Sequence, residues 1–119
     1  MLAIGTVVMG VQDLRRATRF WCAALGYVPR DEADEDWVVL VSPSGSGCGL
    51  ALCTSTSPVQ EHPRVHLDLY TREQAAQVQR LIGLGASAVD WDCYPDDPDF
   101  VVLADTEGNR FCIIDSPQP

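Results

Sequence analysis

The feature that most constrains this chain is that it states its pattern twice. Val38-Val39-Leu40 recurs as Val101-Val102-Leu103, and each copy follows an acid and an aromatic, Asp36-Trp37 and Asp99-Phe100. Each then crosses a polar, glycine-containing turn, Ser42–Gly47 or Asp105–Asn109, into a short apolar segment, Gly49–Cys53 or Arg110–Ile114. Upstream, each copy has a strand, a helix and a closing Leu-Gly, Leu25-Gly26 in one and Leu84-Gly85 in the other. Four matches in one order predict a β-α-β-β-β unit of about sixty residues used twice. With 119 residues the chain suits one domain. Its first module covers about residues 1–55, a linker about 56–63, and the second module about 64–117. Two prolines, Pro58 and Pro63, and a lack of periodicity mark the linker.

The helices follow from spacing. Leu14, Ala17, Trp21, Ala24 and Leu25 recur at helical intervals, with Arg15, Arg16 and Arg19 on the outer side. Asp13 is positioned as the N-cap and Gly26 as a left-handed stop. In the second helix Ala75, Val78, Leu81 and Ile82 form the stripe, and Gly85 ends it. Thr71, with Gln74 three residues on, fits a capping box.

Strand alternation carries the first functional information. In Val65–Tyr70 the period of two puts Leu67 and Leu69 on one face and His66, Asp68 and Tyr70 on the other. The last strand splits Phe111 and Ile113 from Arg110, Cys112 and Ile114; the first splits Val7 and Met9 from Thr6 and Val8. Gly49, Ala51 and Cys53 likewise oppose Leu50 and Leu52. Apolar faces pack under helices, so these strands share a polar-tinged second face. In a curved mixed sheet with its helices outside, that face lines a cup.

Composition narrows the partners. Eight basic residues, all Arg, against seventeen acidic ones leave a net charge of −9, which repels a phosphate backbone and argues against nucleic acid. The absence of Lys hints at a GC-rich bacterial genome. No apolar run is long enough for a bilayer, and Met1–Gly5 lacks the basic and apolar regions of a signal peptide, so a cytoplasmic location and no membrane partner are expected. The five cysteines are scattered, with no Cys-x-x-Cys pair, and read as buried reduced thiols. Two acidic runs, Asp31–Asp36 and Asp90–Asp99, occupy the same place in the two repeats. They read either as solvated loops or as a rim that attracts a cation, with Trp37, Trp91, Tyr94 and Phe100 to stack on it.

Together, His66-Leu67-Asp68-Leu69, Leu84-Gly85-Ala86 and the run from Val102 to Cys112 resemble the vicinal oxygen chelate superfamily. That group includes glyoxalase I, extradiol dioxygenases, and fosfomycin- and bleomycin-resistance proteins. The run Asp105-Thr106-Glu107-Gly108-Asn109-Arg110-Phe111 is similar to the Asp-Pro-Glu-Gly-Asn-x-Phe ending of glyoxalase-like domains, with Thr106 where Pro is usual. The resemblance implies an α+β fold of two tandem βαβββ modules, and commonly a homodimer. In metal-dependent members, ligands stand at positions filled here by Thr6, Ala51, His66 and Cys112. A catalytic ion needs about three protein ligands, and His66 with Cys112 supplies two; Asp68 faces the same side but departs from the family position.

The expected function is therefore metal-independent binding of a small molecule, the sequestration of a drug or metabolite, with no cofactor. His66, Asp68, Tyr70, Thr6, Arg110 and Cys112 are the candidate contacts, and Trp37, Phe100 and Trp91 the stacking surfaces. The alternatives are a divergent glyoxalase-type lyase, isomerase or dioxygenase with one divalent metal ion at His66 and Cys112, and a protein-interaction module. A His66–Cys112 thiolate–imidazole pair competes with a simpler reading, His66 bonded to Asp68 or Tyr70 beside an inert buried thiol.

Overall fold

The computed structural model describes residues 1–117. The chain divides into two compact units, the first Met1–Pro58 and the second beginning at Val59. The first runs β1 (Thr6–Val11), α1 (Leu14–Leu25), β2 (Val28–Pro29), β3 (Trp37–Val41) and β4 (Gly49–Thr54). The second repeats that order with β5 (Asp68–Thr71), α2 (Gln74–Leu84), β6 (Ser87–Ala88), β7 (Phe100–Ala104) and β8 (Arg110–Asp115). The strands form two four-stranded mixed sheets, ordered β1-β4-β3-β2 and β5-β8-β7-β6. The architecture is thus α+β, a βαβββ module used twice.

Each module closes in the same way. Its last three strands form an antiparallel run, and the fourth strand returns to lie parallel to the first, Val8 opposite Ala51 in one sheet and Asp68 opposite Cys112 in the other. Two parallel strands of one sheet need a long crossover connection, most often through a helix; here each connection opens with a helix, α1 or α2, and continues through the two middle strands. The duplication extends to single hydrogen bonds. Thr54 N–H donates to Asp36 O as Asp115 N–H donates to Asp99 O, and Ser55 N–H donates to Val11 O as Ser116 N–H donates to Thr71 O. Asp36 and Asp99, which mark the repeat in sequence, therefore hold equivalent backbone positions.

In the first unit α1 packs over β3 and β4. Ala17, Phe20 and Trp21 are buried there, as are Val38, Leu40, Leu50 and Leu52. The rings of Phe20 and Trp21 meet edge to face at 5.0 Å, and Phe20 joins the predicted residues of the buried stripe. Asp13 caps α1 by accepting from Arg16 N–H at 3.0 Å, and Gly26 stops it with φ of 69°.

The start of α2 departs from expectation. Its N-cap is Glu73, with no side-chain bond to the helix, and no capping box forms. Thr71 is the last residue of β5, so its hydroxyl accepts only from Glu73 N–H. The amide of Gln74 instead donates to the backbone oxygens of Asp99 and Ile113, tying the helix start to β7 and β8. The stripe of α2 is also shallower than its spacing implies: Leu81 is buried, Val78 half-buried, and Ala75 and Ile82 exposed. The regular ladder of β5 begins at Asp68 rather than Val65, although Leu67 O still accepts from Cys112 N–H.

Two sequence signatures turn out to be one contact. Asp105, buried, uses Oδ1 to accept from the N–H groups of Glu107 and Asn109, which folds Asp105–Asn109 into a tight turn between β7 and β8. Gly85, with φ of 122°, lies so close to this turn that a Cβ would sit 2.9 Å from the Thr106 methyl group. Gly83 is helical with open space around it. Gly85→Ala is therefore expected to destabilise by more than about 1 kcal/mol, whereas Gly83→Ala stabilises by about 0.5–1 kcal/mol. Urea titration of the two variants against the parent reads the opposite signs.

Candidate functional site

Period-two alternation in the second unit holds as the sequence predicts: Leu67 and Leu69 are half-buried, whereas His66, Asp68 and Tyr70 are exposed. Because Asp68 is the direct neighbour of Cys112 across the parallel ladder, three side chains of different chemistry converge. One ligand atom from each of His66, Asp68 and Cys112 lies within 4.8 Å of the others. His66 Nε2 is 3.0 Å from Asp68 Oδ1, both side chains a little over two-fifths exposed, while Cys112 is buried. Burial first, and then the charge and hydrogen bonding of Asp68, push the Cys112 thiol up from 9.0 to about 11. The geometry contains the His66–Asp68 bond of the simpler reading, and the raised pKa favours the Cys112 thiol over a thiolate.

The other candidates divide into separate groups. Tyr70 lies opposite Ile114 on the face that carries Asp68 and is half exposed. Thr6, opposite Gly49, and Trp37, opposite Cys53, belong to the second face of the first sheet. Phe100 is half-buried, with its ring 5.2 Å from that of Tyr94. The Tyr94 hydroxyl also accepts from Val102 N–H at 2.8 Å, so this aromatic pair anchors the acidic loop to β7.

Trp91 and Arg110 meet in a groove of about 740 Å³ within the second unit, whose lining also includes Glu61, His62, Asp90 and Asp92. Arg110 is held by a bond from Nη1 to Gly108 O at 2.7 Å, and its Nε is buried with no hydrogen-bond partner among the described residues. Trp91 packs against the His62 ring at 4.8 Å. His62 Nε2 reaches Asp92 Oδ1 at 2.8 Å, and that bond is the main reason the Asp92 carboxyl is held below its usual range. His62 was not a sequence candidate. It lies in the proline-marked linker, thirty residues from Asp92, and no local pattern joins them.

The His66–Asp68–Cys112 set offers one nitrogen, one carboxylate and one sulfur, the number and kind that a zinc-like ion accepts. Binding would displace the His66–Asp68 bond and the Cys112 proton, so the set fits an ion in composition but needs none to satisfy its polar groups. At the matching places of the first sheet, Thr6 and Ala51 offer a hydroxyl and a methyl group.

A family model described as a glyoxalase-like domain matches residues 6–114. Among solved structures, the chain is similar to a glyoxalase-related enzyme from Fulvimarina pelagi, with TM-score 0.73, 19% identity, and coverage of 98% of this chain and 90% of that one. It is also similar to a glyoxalase/bleomycin resistance protein/dioxygenase family enzyme from Burkholderia phytofirmans PsJN, with TM-score 0.72, 16% identity and coverage of 94% and 97%. A genomically encoded fosfomycin resistance protein, FosX, from Listeria monocytogenes gives TM-score 0.76 at 13% identity, covering 99% and 94%. Among curated protein sequences, none matches the chain. No helix is long and apolar enough to cross a membrane among the described residues.

The raised Cys112 pKa has a pH consequence of definite sign. Above pH 9 an unfolded chain loses this proton while the folded one keeps it, so the folded state binds more protons and stability falls as pH rises. The contribution is complete below about pH 9 and is lost between 9 and about 11. Urea titrations across that window are expected to show a decline that is reduced in Cys112→Ala. In Asp68→Asn the Cys112 ionisation, followed by thiolate absorbance, moves down toward 9.0.

Proposed function

The chain belongs to the glyoxalase-like domain family, and from that premise we propose that it is a small-molecule-binding protein of the glyoxalase/bleomycin-resistance kind. It sequesters a flat, cationic drug or metabolite, independently of any metal ion. The observation that carries this reading is the groove of the second unit. Its volume of about 740 Å³ suits a drug-sized ligand. Glu61, Asp90 and Asp92 bring negative charge, and Trp91 brings an indole, to the same lining. A desolvated cation over an indole face gains about 0.5–2 kcal/mol, and the net charge of −9 concentrates cations near the surface. Arg110 gives the lining one fixed positive group, able to donate to a carbonyl or anionic substituent and so to orient the ligand.

His66, Asp68 and Cys112 form the polar floor of this reading. Arg110 and Cys112 are two residues apart on one face of β8, so groove and trio lie along a single strand. His66 then acts as a hydrogen-bonding group fixed by Asp68. Function as a homodimer belongs to the same proposal, since an edge strand such as β1, with Val8 exposed, calls for cover.

One observation favours a second reading. Three potential donors within 4.8 Å would let His66, Asp68 and Cys112 hold a divalent ion, as in a metal-dependent lyase, isomerase or dioxygenase. Such an ion supplies Lewis acidity toward substrate oxygens when bound. In that case Asp68 would fix the imidazole and Cys112 would give up its proton.

Calorimetric titration with bleomycin as a large cationic probe and fosfomycin as a small anionic one separates these readings. Binding of the cationic probe, weakened by added salt and by about 2- to 30-fold in Trp91→Ala, is the expected result. Preference for the anionic probe, or affinity indifferent to salt, overturns it. A zinc-induced rise in Tm that disappears in His66→Ala supports the second reading instead.

A further inference from the structure

A second trio of the same chemistry lies outside the positions that the fold family uses. One ligand atom from each of His62, Asp92 and Cys93 lies within 4.8 Å of the others, all three residues being exposed. His62 comes from the segment that opens the second unit, and Asp92 and Cys93 are consecutive in the acidic loop before β7. Asp92 Oδ1 collects both neighbours, His62 Nε2 at 2.8 Å and Cys93 Sγ at 3.3 Å. Donors on a tetrahedral zinc-like ion stand about 3.3–3.8 Å apart, given bond lengths of about 2.0–2.3 Å. Small shifts of the two neighbours of Asp92 from 2.8 and 3.3 Å therefore reach coordinating separation, and all three atoms lie within 4.8 Å of one another. The Trp91 ring at 4.8 Å limits the swing of the imidazole.

We propose that His62, Asp92 and Cys93 form a binding site for a thiophilic divalent cation of the zinc class, at the edge of the groove and separate from His66. Nitrogen, carboxylate and sulfur make a borderline-soft donor set that selects such ions over magnesium or calcium. Three protein donors leave a coordination position for water or for a group of a molecule in the groove, since His62 and Asp92 both belong to its lining. Binding replaces the thiol proton of Cys93, which passes to solvent, while His62 coordinates through Nε2.

This trio differs from the one around Cys112 in access: His62, Asp92 and Cys93 are all exposed, whereas Cys112 is buried. Nearby acids, Glu61 and Asp90 in the groove lining, add attraction for a cation. The bound ion would tie the opening segment of the unit to the acidic loop and so stiffen two walls of the groove. None of this depends on the groove taking an organic ligand.

Titration of the reduced, full-length protein with cobalt(II), followed by its thiolate-to-metal charge-transfer band, tests the proposal. The expected result is a band that saturates at one equivalent, is lost with at least tenfold weaker binding in Cys93→Ser and in His62→Ala, and survives in Cys112→Ser. Two equivalents, one of them removed by Cys93→Ser, also support the site. A band that persists in Cys93→Ser and vanishes in Cys112→Ser, or no band at millimolar cobalt, overturns it. Both altered residues of the His62 trio are exposed, and an unchanged urea midpoint without metal separates lost coordination from lost folding.

Discussion

The parallel pairing of each module's first and last strands is the constraint on which everything else rests. A parallel ladder has a fixed register, so it determines which residue of the opening strand stands beside which residue of the closing strand. In the second unit that register sets Asp68 beside Cys112 and leaves His66 one pleat away on the same face. In the first it sets Val8 beside Ala51, with Thr6 in the corresponding place. One backbone frame, written twice, therefore holds a polar trio in one copy and largely inert side chains in the other. The crossover helices make the parallel pairing possible, and their burial of Trp21 in α1 and Leu81 in α2 holds the frame closed.

Charge chemistry in the second unit is organised around carboxylates that each gather an imidazole and a thiol. Asp68 faces His66 and Cys112; Asp92 faces His62 and Cys93. The two trios differ in what surrounds them. Burial dominates at Cys112 and pushes its thiol pKa up, which favours a hydrogen-bonded polar patch there. Solvent surrounds Asp92 and Cys93, where the local hydrogen bond dominates. The same residue types thus tend toward different roles, because removing a charge from water costs far more in one place than in the other.

Much of the fold was legible because it depends on short-range rules. Alternation placed His66, Asp68, Tyr70 and Cys112 on one face, and cap chemistry placed Asp13 and Gly26 at the ends of α1. The capping box at Thr71 was not realised: the preceding strand fixed Thr71 in extended geometry, and the Gln74 amide found two strand carbonyls. Phe100 and Tyr94 looked like open stacking surfaces in sequence. They engage each other and the β7 backbone, because the short β6 leaves the N–H of Val102 to be satisfied by the acidic loop.

The sequence by itself determined the duplication, the βαβββ order and the face on which each strand residue stands, since repeat matching and a period of two need no knowledge of distant neighbours. It also determined the acidic surface. Only the tertiary structure decided which of these residues meet: that His66 and a buried thiol share Asp68, that Trp91 and Arg110 line one groove, and that His62 reaches Asp92 across thirty residues of chain. The reason is physical. Periodicity is a property of the local backbone, whereas convergence depends on strand register and on the path of loops, neither of which any short stretch of residues encodes.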